Sequence, residues 1–158
     1  MMKTFPDISI HENHPKLSVS NISNIRVPII VKDCTRLIEA IEQNEKIRFS
    51  FVELVYVDEE KIKEVNKEYL GRAYVTDIIT FRYDEDTTNQ DIEGTLFCCA
   101  PRISEQSREM DTPEKTEFYR IFIHGLLHLS GYDDQTEEVK DAMTARENHY
   151  LQELNLPL

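Results

Sequence analysis

Hydrophobic positions along the chain follow two periods in turn. In "KDCTRLIEAIEQNE" Cys34, Leu37, Ile38 and Ile41 fall on one face of a 3.6-residue turn, which predicts an amphipathic helix. "IRFSFVELVYV" alternates and is rich in branched and aromatic residues, which predicts a strand. Asp58 then stands as N-cap of a helix over "EEKIKEVNKEYL", with Ile62, Val65 and Tyr69 on its inner face and Gly71 at its end. "TDIITFRY" reads as a second strand, "DEDTTNQDIEG" as a polar acidic loop and "TLFCC" as a third strand. The short connection between those two strands predicts an antiparallel hairpin.

Helical spacing dominates the rest. "PRISEQSREM" predicts a short helix with Pro101 in its first turn. Asp111 or Thr112 is the expected cap of a long helix, with Pro113 near its first position, running through "EKTEFYRIFIHGLLHLSG". "TEEVKDAMTARENHYLQEL" predicts a last helix. Before all of these, "ENHPKLSVSNISN" is the least orderly stretch, "ISIHE" suggests a short strand, and "IRVPII" begins the next ordered element. Strands come early and helices late, so the expected class is α+β, with one small mixed sheet packed against several helices. A length of 158 residues fits a single domain over 1–158.

Composition narrows the function classes. No apolar run approaches the roughly 20 residues that span a bilayer, and the first residues lack the apolar core of a secretory signal. Cys34, Cys98 and Cys99 are odd in number and two are adjacent, a poor disulfide framework that points to a reducing cytoplasm. Cys98 and Cys99 in one strand face opposite ways, so they make a poor metal pair. A net charge of −12 argues against a broad electrostatic footprint on nucleic acid, while leaving room for a local positive groove.

One stretch carries chemistry. "HGLLHLSGYDD" places His124 and His128 four apart, on one helical face. Gly131 accepts the left-handed backbone that ends a helix, and the reversal brings Asp134 back over the same face. Two imidazoles and a carboxylate suit a tetrahedral Zn²⁺, and three protein ligands leave a fourth position open, as in catalytic sites. The competing reading, a hydrogen-bonded histidine pair in a core, leaves two costly polar rings in an apolar run. The spacing is also similar to the long zinc motif of metzincin proteases. Those enzymes need a glutamate base after the first histidine, where this chain has Gly125.

"HGLLHLSGYDD" resembles the signature of the YbeY family, bacterial endoribonucleases that mature ribosomal RNA. The family pattern, His-Gly-x-Leu-His-Leu-x-Gly-Tyr-Asp-His, is matched by His124, Gly125, Leu127, His128, Leu129, Gly131, Tyr132 and Asp133, while Asp134 replaces the third histidine. "NKEYLGRAYVTDIITF", "GTLFCC" and "AMTARENHYL" resemble further family segments, so the likeness runs from about residue 25 to the last helix. The resemblance implies metal-dependent cleavage of single-stranded RNA, in 16S rRNA 3′-end processing and ribosome quality control. Its partners would be rRNA and the ribosome or a subunit, with no DNA and no membrane. The family's functional arginine falls at Leu70, six residues before Thr76. Arg72, two residues on, either takes over phosphate contact or is a solvated loop arginine. Arg120, one turn before His124, either faces the cleft or makes an ion pair. For the general base, Asp133 and a hydroxide at the ion are both open.

Overall fold

The structure is a computed structural model that describes residues 12–83 and 91–156. Among the described residues five strands form one mixed sheet: β1 (Glu12–His14), β2 (Leu17–Asn21), β3 (Arg48–Val57), β4 (Ile78–Arg82) and β5 (Asp91–Cys99). Their order is β1-β2-β3-β5-β4. β3 runs parallel to both β2 and β5, while β4 pairs antiparallel with β5, as the short connection required. The helices are α1 (Val31–Glu45), α2 (Glu59–Leu70), α3 (Ala100–Glu109), α4 (Glu114–Leu129) and α5 (Glu137–Leu151), followed by a short 3-10 turn at Gln152–Leu154. The class is α+β, as expected.

Each sheet face buries its own apolar set. On one face Leu17, Val52, Leu54 and Leu96 meet the inner stripes of α1 and α4, including Leu37, Ile41, Phe122 and Leu126. On the other, Val55, Val57 and Ile79 pack on Ile62 and Val65 of α2. Each such side chain stabilises by roughly 1.5–3 kcal/mol when fully buried. Cys98 belongs to the first layer and Cys99 to the second, so alternation separates the adjacent thiols. Burial pushes all three thiols above their ordinary range, and all three are free. No described helix is long and apolar enough to cross a membrane.

Several sequence expectations need correction. Residues 12–24, read as the least orderly, contain β1 and the whole of β2, and Leu17 and Val19 are fully buried. The proposed strand "ISIHE" lies outside the described residues except for Glu12. Tyr69 was expected on the buried face of α2 but is 61% exposed, and Asn66 takes the inner position. Neither Asp111 nor Thr112 caps α4: Pro113 holds the N-cap position with no side-chain bond. The third strand is longer than "TLFCC" and begins at Asp91. Gly94 fits inside it because a Cβ there would lie 2.6 Å from the Phe81 carbonyl oxygen.

Candidate metal centre

α4 carries the first two site residues and its end carries the third. Gly131 adopts φ +108° and Ser130 closes the helix. The Gly131 N–H donates to the His128 carbonyl and the Tyr132 N–H to the Leu127 carbonyl, the bond pair of a Schellman motif. Arg82 of β4 donates to the Leu129 carbonyl, adding a cation where the helix dipole is negative.

The turn after Gly131 is tied to the body at Glu45. Tyr132, Tyr150 and Arg146 all donate to that carboxylate, and the Arg146 guanidinium lies 4.7 Å from the Tyr132 ring centroid. Burial alone would raise the Glu45 carboxyl, but these donors hold it below its ordinary value. A depressed carboxyl contributes stability that is present above its unfolded value and lost as pH falls through the folded one. Glu45→Gln should therefore lower urea stability clearly at pH 7 and much less at pH 3. Equal losses at both pH values would show that the carboxylate charge contributes nothing there.

The three predicted ligands converge. Donor atoms of His124, His128 and Asp134 all lie within 4.8 Å of one another. The two Nε2 atoms are 3.0 Å apart, and Asp134 carboxylate oxygens stand 3.5 Å from His124 Nε2 and 3.7 Å from His128 Nε2. Tetrahedral bonds of 2.0–2.1 Å need ligand atoms about 3.3 Å apart. The donor set therefore fits a metal ion with little movement, and the three residues are only half-buried, so the site is open to solvent.

Behind this set stands a residue the sequence reading missed. Glu147 of α5 accepts from His124 Nδ1 at 2.7 Å, and its side chain is 8% exposed. That bond places the His124 proton on Nδ1 and turns the Nε2 lone pair toward the site. Arg120 does not join the ligand set. Its guanidinium donates to Glu147 at 3.2 Å and to Asn148 at 2.8 Å, and lies 3.9 Å from Glu117. Burial lowers the proton affinity of both histidines. At His124 the bond and charge of Glu147 outweigh burial and raise it; at His128 the neighbouring His124 adds to burial and it stays low. One signal was readable: Glu147 falls in the buried stripe Met143, Glu147, Tyr150, Leu151, where a carboxylate needs a partner.

The other predicted residues lie outside the set. Asp133 is exposed and accepts from the Gln135 N–H at 3.4 Å. Arg72 is exposed on the loop after α2 and has no ion-pair partner among the described residues. Gly125 faces the sheet: a Cβ there would lie 2.7 Å from Ile78 and 3.0 Å from Leu96. The position of the metzincin base is thus closed by packing, and helix and sheet touch there because the residue is glycine.

Comparison with known proteins decides the family. The family model for endoribonuclease YbeY matches residues 17–155. The chain belongs to the YbeY family. An endoribonuclease YbeY of Bacteroides fragilis is 36% identical over 128 residues, covering 80% of this chain and 90% of that relative. One from Chlorobaculum tepidum is 38% identical over 103 residues, 65% of this chain and 73% of the relative. A Thermotoga maritima protein solved in solution shares the fold, with a TM-score of 0.59 and 25% identity over 85% of this chain and 87% of that one. The YbeY match spans the histidine motif, Glu147 and the loop that carries Arg72.

Proposed function

We propose that this YbeY-family chain is a zinc-dependent endoribonuclease that cleaves single-stranded RNA, acting in 16S rRNA 3′-end maturation and ribosome quality control in the cytoplasm. The observation that carries the reading is the convergence of His124, His128 and Asp134 in a chain whose curated relatives are called endoribonucleases. A bound Zn²⁺ would supply Lewis-acid polarisation of a phosphoryl oxygen and a water acidified toward neutral pH. A carboxylate in the set also suits Mn²⁺.

The chain's own residues have separable tasks. His124 Nε2, His128 Nε2 and an Asp134 oxygen would hold the ion. Glu147 keeps the proton on His124 Nδ1, and Arg120 neutralises Glu147 and fixes α5 to α4. Arg72, exposed and with no ion-pair partner among the described residues, is a cation available to a phosphate. Asp133, exposed and next to Asp134 in sequence, is the residue that would accept a proton from an attacking water. A net charge of −12 makes free RNA a poor electrostatic partner, which favours substrate presented on the ribosome or a subunit.

The test joins a metal analysis of purified protein to cleavage of a single-stranded oligoribonucleotide and of its duplex. Zinc at one per chain with strand-selective cleavage is the expected result. A protein that holds the metal but cleaves neither RNA would instead be a non-catalytic assembly factor.

A further inference from the structure

The loop after α2 and the strand beside it form a groove of about 200 Å³ that the metal centre does not use. It follows the outer edge of β4, the last strand of the sheet, which pairs with β5 on its other side. Asn66, Arg72, Tyr74, Thr76, Ile78 and Thr80 line it, and none of its eight lining residues is Asp or Glu. In a chain with 30 acidic residues and a net charge of −12, a strip holding an arginine and no carboxylate is a local exception. Such a strip repels a polyanion less than a carboxylate-lined one would.

The groove holds one exposed ring, that of Tyr74, and the exposed Leu70, with Tyr69 exposed just beside it. Tyr69, Leu70 and Tyr74, within six consecutive residues, are 61%, 47% and 52% exposed. The Tyr69 ring is held edge-on against Phe81, with centroids 5.2 Å apart. The loop itself is built rather than loose. Asn66 is 1% exposed; its side-chain amide donates to the Tyr74 carbonyl at 2.9 Å and its own carbonyl accepts from the Arg72 N–H at 3.2 Å. Gly71 supplies the left-handed turn, φ +68°, that starts the loop. A preorganised loop that offers a ring and a guanidinium two residues apart has the parts that bind one nucleotide: a face for the base and a cation for its phosphate. One wall residue of the groove, Ile78, packs at Gly125, so the groove reaches the helix that carries His124 and His128.

We propose that this groove is a nucleobase-stacking subsite for single-stranded RNA, in which Tyr74 stacks on a base and Arg72 meets the adjoining phosphate. The proposal rests on the endoribonuclease reading and deepens it: it names how an acidic chain grips unpaired RNA, by ring stacking more than by charge. Stacking requires a splayed base, so a duplex is rejected at this groove before any chemistry.

The chain has no tryptophan, so Tyr74→Trp gives a single reporter. Full-length protein stripped of metal by chelation is titrated with octauridylate, which it binds without cleaving. Tryptophan fluorescence should quench on saturation. Tyr74→Ala should weaken binding about tenfold and Tyr74→Phe by less than about twofold. The log–log salt slope should stay near −0.7 to −1.4, the value for one or two phosphates on a single strand. The subsite is overturned by unchanged fluorescence, by Tyr74→Ala binding as the native chain does, by no measurable binding to octauridylate, or by an abasic strand binding equally well. It is also overturned if an extended uncharged peptide, and not RNA, perturbs the β4 amides, which would make this edge a strand-addition site. Cleavage by the metal-loaded native chain is scored separately: its absence removes the endoribonuclease reading, while intact cleavage with an indifferent Tyr74 removes only the subsite.

Discussion

Asp134→Ala is expected to remove bound metal and RNA cleavage together. Two imidazoles 3.0 Å apart remain, but two neutral ligands hold a divalent ion far more weakly than two plus a carboxylate. The loss of affinity should exceed the roughly 10–100-fold that follows removal of an outer partner. Asp134→His should keep the metal, since an imidazole can occupy the same side of the site. The two chains should differ in acid. A carboxylate stays ionised well below pH 6, whereas each imidazole must lose a proton to bind. Between about pH 5 and 6 the native affinity should fall with roughly the first power of proton concentration, carried by His124, whose proton affinity is raised while that of His128 is lowered, and the Asp134→His affinity should fall more steeply by the extra imidazole's proton. The variant therefore releases its ion at the higher pH. Competition with a metal-sensing dye across that range measures both slopes. An Asp134→Ala protein that keeps its metal would show that Asp134 is only a polar turn residue, with Asp133 the next candidate.

How much of this was legible in the sequence depends on where the determinant lies. α1 and β3 declare their buried faces within their own spacing, so Cys34, Leu37, Ile38 and Ile41 were readable without any partner. The same holds for the convergence of His124, His128 and Asp134, because one helix and the turn that ends it carry all three residues. β2 was not readable. "LSVSN" alternates over only five residues, and its order comes from pairing with β3, more than thirty positions on. Tyr69 misled because its spacing fits the inner stripe of α2, yet the helix end passes the edge strand β4. There the ring meets Phe81 with one side only. Glu147 was hidden for a related reason: its partner is 23 residues away on another helix, and no local period reports how α5 lies against α4.

Glu147→Ala is expected to weaken metal binding and folding at once. The carboxylate accepts from His124 Nδ1 at 2.7 Å and from Arg120 at 3.2 Å, with its side chain 8% exposed. Without it, the His124 ring loses the bond that selects its tautomer and holds its angle. Affinity for zinc should then drop about 10–100-fold. Arg120, 16% exposed, keeps Asn148 at 2.8 Å and Glu117 at 3.9 Å, so its charge is left only partly compensated. Breaking a buried pair on one side costs about 3–5 kcal/mol, and these remaining partners place the loss at about 3 kcal/mol. Glu147→Gln separates the two effects. Its amide oxygen still accepts from Nδ1–H, so zinc affinity should fall less than in the alanine variant. The charge opposite Arg120 is gone, so most of the stability loss remains. Chelator competition gives the first quantity, and urea unfolding of metal-free protein gives the second. If Glu147→Ala binds zinc as the native chain does, Glu147 serves only to neutralise Arg120 and has no part in orienting His124.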